Sequence, residues 1–222
     1  MLDEVHKLDL SDENKYLWHY PPSKVKEIIQ NYKSKMDIDE IVDPYKDSDL
    51  FVVVRNPYDR LVSAYYHWES MHHPVETLNS IGLMNRLIGE SLDAVEADYL
   101  YRGGHYIPQY DFVFDYSTSD NDMQSNGCKN QFHREHRRRI VKHILRHDYL
   151  KNDFDNLVNL YGLNITLIDK KSAKRRKHGK ATLTKYEINA ENLKRIEAFY
   201  AKDFDEFGFT RMNSTDRIMD KK

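Results

Sequence analysis

The sequence predicts an α/β layer fold, a parallel sheet flanked by helices, from three observations. Leu50-Phe51-Val52-Val53-Val54 is a continuous, largely β-branched apolar run, the pattern of a strand buried on both faces. It leads directly into a turn with proline, Arg55-Asn56-Pro57-Tyr58, and then into Leu61, Val62, Tyr65 and Trp68 at helical spacing. Beyond that, strand-like and helix-like runs keep alternating, as they do in βαβ units.

Taken in order, Met1 to Lys15 is charged and contains no strand, and Tyr16 to Tyr20 is an aromatic strand stopped by Pro21-Pro22. Ser23 is a suitable N-cap for a helix carrying Val25, Ile28 and Ile29 inward. After the strand at 50–54 and its helix, residues 75–101 read as mostly helical up to the break Arg102-Gly103-Gly104-His105, and Phe112-Val113-Phe114 reads as a second short strand. Ser117 to Lys129 has no periodicity and reads as a loop. Gln131 to Tyr161 shows a helical pattern in two pieces, and Asn164 to Ile168 is a third strand candidate. Lys170 to Lys180 is a basic loop, and Ala190 to Phe207 is a closing amphipathic helix with Leu193, Ile196, Phe199, Tyr200 and Phe204 on one side.

At 222 residues the chain suits a single domain spanning 1–222. Hydrophobic residues at 40% and charged ones at 32% indicate a globular chain, neither disordered nor membrane-embedded. A formal net charge of −2 gives no global field toward nucleic acid or anionic lipid, so any anion must be bound locally. One cysteine, Cys128, rules out an internal disulfide and a cysteine-based zinc cage. No run approaches the ~18 apolar residues of a membrane span, and the acidic start lacks the apolar core of a signal peptide, so nothing in the sequence as written anchors or targets it.

The chemistry concentrates after the best strand. Ligands of open α/β sheets bind at the carboxyl ends of strands, and Arg55 stands there, with Ser63 about two turns into the next helix. A guanidinium offers paired, charge-assisted bonds to phosphate oxygens, and a hydroxyl adds a directional donor. A bland reading stays open: any parallel strand can be followed by an Arg and a Ser, and Asp59 with Arg60 can be a surface pair.

The full string, a strand, then Arg55-Asn56, Ser63 eight residues after the Arg, then Tyr65-Tyr66, resembles the 3′-phosphate signature of sulfotransferases that use 3′-phosphoadenosine 5′-phosphosulfate (PAPS). In the form Arg-Asn-Pro-Tyr-Asp-Arg-Leu-Val-Ser-Ala-Tyr it is most similar to the carbohydrate sulfotransferase branch. His105-Tyr106-Ile107-Pro108-Gln109 resembles the family's His-x-x-Pro-Gln block, Asn152 to Leu163 its acidic-Phe helix and Tyr-Gly-Leu turn, and Ala198 to Phe209 its closing helix. The resemblance covers about residues 16–209.

The resemblance implies a P-loop-like parallel sheet, PAPS as donor substrate, no metal, and a carbohydrate or glycan acceptor. It implies roles for Arg55 and Ser63 on the 3′-phosphate and for His105 and Gln109 beside the donor or acceptor. It also implies that His19 is the catalytic base, which suits an imidazole of pKa near ~6.5; a histidine buried between aromatics is the other reading. Lys174, Arg175, Arg176 and Lys177 fall where the family's late basic loop closes over the nucleotide, against a plain solvated run or nucleic-acid patch. The run His133 to Arg139, continuing to His143 and His147, reads as an exposed helix face, with a metal on its i, i+4 histidines as the lesser alternative. Members of the carbohydrate branch are usually Golgi-lumenal behind an N-terminal anchor.

One family part is not found in the sequence: the first strand with a Pro-Lys-x-Gly-x-Thr-Ser loop that holds the 5′-phosphosulfate. No glycine precedes Gly82, and Pro21-Pro22-Ser23-Lys24 lacks the amide donors of such a cradle. The sequence is therefore read either as an N-terminally truncated enzyme or as a relative that binds nucleotide or sulfated glycan without turnover. A nucleic-acid binder acting through the two basic runs is disfavoured by the near-neutral charge.

Overall fold

The computed structural model describes Pro21, Val25, and residues 48–116, 137–167 and 181–212. The strand predicted at Tyr16 to Tyr20 and the loops at Ser117 to Lys129 and Lys170 to Lys180 lie outside these residues. Of the helix predicted after Ser23, only Val25 is described, and it is helical and buried.

In chain order the elements are strand β1 (Leu50–Val54), helices α1 (Pro57–Glu69), α2 (Val75–Leu78) and α3 (Ile81–Ala97), and a 3-10 turn (Tyr101–Gly104). Then come α4 (Tyr110–Val113), β2 (Phe114–Tyr116), β3 (Arg137–Arg139), β4 (Val141–Arg146) and a 3-10 turn at His147–Tyr149. Helix α5 (Leu150–Leu160), a 3-10 turn (Lys185–Glu187), α6 (Ala190–Phe199) and α7 (Ala201–Phe207) complete the order. β1 and β4 form a parallel pair flanked by helices, the α/β class that the sequence predicts. The residues divide into two compact units, one holding the chain up to Val52 and Leu100–Ile144, the other Val53–Tyr99 and the chain from Leu145. The division passes through both strands of the pair.

In the first unit β2 and β3 pair antiparallel, with Phe114 opposite Arg139 and Tyr116 opposite Arg137. Ile140 N–H extends the pairing by donating to Val113 O at 2.9 Å. Tyr106, Ile107, Val113 and Val141 are buried there, and Tyr110 stacks on Phe114 at 4.4 Å. At the predicted break the chain turns through positive φ at Arg102 (50°) and Gly103 (64°), a conformation that only the glycine adopts without strain.

In the second unit α1, α3 and α6 pack on one another. Each contributes an apolar stripe: Tyr58, Leu61 and Tyr65 from α1, Met84, Ile88, Leu92 and Val95 from α3, Leu193 and Ile196 from α6. Phe204 of α7 lies 5.1 Å from the Tyr58 ring and closes the core. A buried amide, Asn85, ties three segments together. Its Nδ2 donates to Ile81 O and Glu187 O, at 2.9 and 2.8 Å, and its Oδ1 accepts from Asn189 N at 2.7 Å.

Several expectations are corrected. β1 is not covered on both faces: Val54 is fully buried, but Phe51 is 53% and Val53 40% exposed, because among the described residues the strand belongs to a two-stranded sheet. The second short strand starts at Phe114 rather than Phe112, since Tyr110–Val113 winds into one helical turn first. Over the described part of the pattern predicted for Gln131 to Tyr161, the α-helix is Leu150–Leu160, and Arg137–Arg139 and Val141–Arg146 are strands. Ile140, Val141 and Ile144 are β-branched and prefer the pleated surface that β1 and β2 offer. The third strand candidate forms no ladder over its described residues, Asn164 to Leu167, and Ile165 and Leu167 are exposed. The closing helix is broken at Tyr200 into α6 and α7, with Leu193, Ile196, Tyr200 and Phe204 buried as predicted and Phe199 only half-buried.

Candidate functional site

The turn after β1 is built by its own residues. Asn56 caps α1, its Oδ1 accepting from Tyr58 N at 3.0 Å, and Pro57 takes the first helical position, where its missing N–H costs nothing. Arg55 is thereby fixed between the last residue of β1 and the cap of α1. It is half-buried, with its Nε sealed from solvent. Ser63, also half-buried, lies on α1 in the same unit. The strand end thus combines a guanidinium with the positive end of a 13-residue helix, a combination suited to an anion.

The other faces of α1 are held tightly, which keeps this turn in place. Tyr58 OH donates to Glu197 Oε1 and accepts from Met212 N at 3.2 Å. Burial first, and then the bond to Glu197, pushes its phenol well above the usual range. Tyr65 OH donates to Leu78 O at 2.7 Å, and burial, reinforced by Tyr66 and Glu69, pushes its pKa up to about 12. Asp59 pairs with Lys185 at 3.0 Å, and Arg60 lies over the Tyr200 ring, so each has a partner beyond the surface pair that sequence suggested. Tyr66 OH donates to Asn79 Oδ1 at 2.7 Å, and these two side chains accept from Leu183 N and Thr182 N, both at 3.0 Å. The chain just after the basic run is therefore tied to the helix that carries Ser63.

Arg146 was not singled out by sequence reasoning, which placed it in a helix. It ends β4, so in a parallel pair it shares the carboxyl edge with Arg55. Its guanidinium packs over Phe209 at 4.6 Å and donates from Nη1 to Phe207 O at 3.1 Å, while its backbone N–H donates to Asp153. The clue in the sequence was the β-branched run immediately before it.

Of the other predicted site residues, Gln109 is buried and His105 half-buried, both in the first unit. His19, Lys174, Arg175, Arg176 and Lys177 lie outside the described residues, as do His133 and His136. Arg139 and His143 stand on strands, which removes the helical i, i+4 face drawn from this run. Among the described residues no group of three or more His, Cys, Asp or Glu is arranged to hold a metal, and no helix is long and apolar enough to cross a membrane.

A family model described as sulfotransferase family matches residues 8–210. The chain belongs to the sulfotransferase family. The match takes in the strand, turn and helix that carry Arg55 and Ser63 and starts eight residues before the resemblance seen in the sequence. No curated protein and no solved structure matches the chain. For a sulfotransferase the reaction class is sulfuryl transfer, and the cationic turn after β1 is chemically matched to the anionic donor such a reaction requires.

Proposed function

We propose that this chain transfers the sulfuryl group of PAPS to a hydroxyl of a carbohydrate acceptor. The observation that carries the reading is the placement of Arg55 at the carboxyl end of β1, immediately before the Asn56-capped helix bearing Ser63. Arg55 and Ser63 hold the donor's 3′-phosphate, and Lys174, Arg175, Arg176 and Lys177 supply further cations for its phosphate or sulfate oxygens.

In the reaction the acceptor oxygen attacks sulfur in line, on the side opposite the bridging oxygen. The new O–S bond forms as the S–O bond to the 5′-phosphate breaks, and 3′-phosphoadenosine 5′-phosphate (PAP) leaves. His19 takes the hydroxyl proton, and His105 and Gln109 contact the donor or the acceptor. No metal is needed: positioning and charge stabilisation supply most of the rate, as in phosphoryl transfer.

A second reading is a binding module that holds PAP or a sulfated glycan without turnover. It would use the same Arg55 and Ser63 contacts without the charge stabilisation on the bridging oxygen that turnover requires. Incubation with sulfur-labelled PAPS and a panel of desulfated glycans separates the two. Label appearing on a glycan, and lost in His19→Ala, supports the transferase. Calorimetric binding of PAP with no label transferred to any acceptor supports the module instead.

A further inference from the structure

We propose that Lys185 is a further positioning residue for the donor: it neutralises Asp59 and so keeps that carboxylate from repelling the phosphate group that Ser63 helps to hold. The inference rests on the reading that Arg55 and Ser63 bind the donor's 3′-phosphate. It adds a residue that lies outside both the strand-turn-helix string and the basic run.

Asp59 sets an electrostatic difficulty for that reading. It stands in the first turn of α1, four residues before Ser63. Residues i and i+4 of a helix lie on one face, with their Cβ atoms ~5–6 Å apart. Two like unit charges ~6 Å apart weaken binding about threefold in water and about a hundredfold at a partly shielded site. Asp59 is 27% exposed, so bulk water does not dissipate its charge. A lone carboxylate is favourable at the positive end of a helix, but it opposes any second anion there.

Lys185 supplies the countercharge. Its Nζ lies 3.0 Å from Asp59 Oδ2, and its side chain is 24% exposed. With both partners shielded, the pair resists screening by salt far better than an open surface pair such as Arg86 with Glu90.

The backbone around the lysine brings it to this place. Thr184 caps the turn Lys185–Glu187, and Glu187 Oε2 accepts from Thr184 N at 2.7 Å, which engages the acid of that turn. Just before it, Leu183 N donates to Tyr66 OH at 3.0 Å. Tyr66 follows Ser63 by three residues and Asp59 precedes it by four, so the contacts from Leu183 and Lys185 bracket Ser63 along one face of α1. The ammonium is thereby held within about one helical turn of the Ser63 hydroxyl.

Calorimetry on the whole chain, comparing PAP with AMP, tests the proposal. Lys185→Ala should weaken PAP about tenfold and AMP less than about twofold, and adding Asp59→Asn to it should restore most of the loss. Asp59→Asn alone should bind PAP at least as tightly as the parent chain, which tests the same repulsion should Lys185→Ala fail to fold. A merely structural lysine would lower the affinity for PAP and AMP together and would not be rescued by removing the acid's charge. With the donor reading intact, shown by a parent chain that prefers PAP, the proposal is overturned if Lys185→Ala keeps that preference, if Asp59→Asn fails to restore it, or if Asp59→Asn alone weakens PAP about tenfold. A parent chain that does not distinguish PAP from AMP overturns the donor reading and this proposal together.

Discussion

Tyr58→Phe isolates one hydroxyl at the base of helix α1. The ring is fully buried against Phe204, and phenylalanine keeps that packing, so only the hydrogen bonds change. The hydroxyl donates to the Glu197 carboxylate and accepts from Met212 N at 3.2 Å. A bond to a charged group contributes about 1.5–3 kcal/mol and a neutral one about 0.5–1.5 kcal/mol, so the substitution should cost about 3 kcal/mol. For a chain of this size that corresponds to a fall of about 9 °C in Tm, read by calorimetry or circular dichroism. Most of the loss should vanish in a Glu197→Ala background, because the two groups act as a pair. A loss below about 0.5 kcal/mol, or one unchanged by Glu197→Ala, would refute the role assigned to this contact.

Burial holds Tyr65 protonated up to about 12, whereas an unfolded tyrosine ionises near ~10. Stability should therefore be flat in this group below pH ~10 and fall by about 1.4 kcal/mol per pH unit between there and pH ~12, with Tyr65→Phe flattening the slope. Leu92→Ala empties a fully buried position on α3 and should cost about 2–5 kcal/mol by denaturant titration; a loss under about 1 kcal/mol would contradict its place in the core. The Lys185–Asp59 pair is partly shielded, 24% and 27% exposed, and a double-mutant cycle should give a coupling of about 1 kcal/mol that shrinks at high salt.

The centre of the fold was legible because three local signals agreed there. The β-branched run, the asparagine-proline turn and the helical spacing of Leu61, Val62 and Tyr65 all depend on neighbours in sequence. The arginine-rich stretch was misread because its apolar residues satisfy a helical period and a strand period about equally. The pairing that decided for β4 is distant, as the Lys142–Asp49 ion pair across 93 positions illustrates. Asn164 to Leu167 shows the converse, strand-forming residues that meet no ladder partner among the described residues. At the site, Arg55 and Ser63 are proposed from their spacing together with the family resemblance. The contacts that steady them, Tyr58 with Glu197 and Asp59 with Lys185, join residues more than a hundred positions apart and leave no local trace.

The most direct test of the account compares how tightly the chain and its Arg55→Ala variant bind PAP and AMP, which differ by the 3′-phosphate alone. Calorimetry should show the chain preferring PAP by about tenfold to a hundredfold, the worth of a charge-assisted phosphate contact, and Arg55→Ala binding the two nearly alike. An undiminished preference for PAP in Arg55→Ala would contradict the assignment of this arginine to the 3′-phosphate.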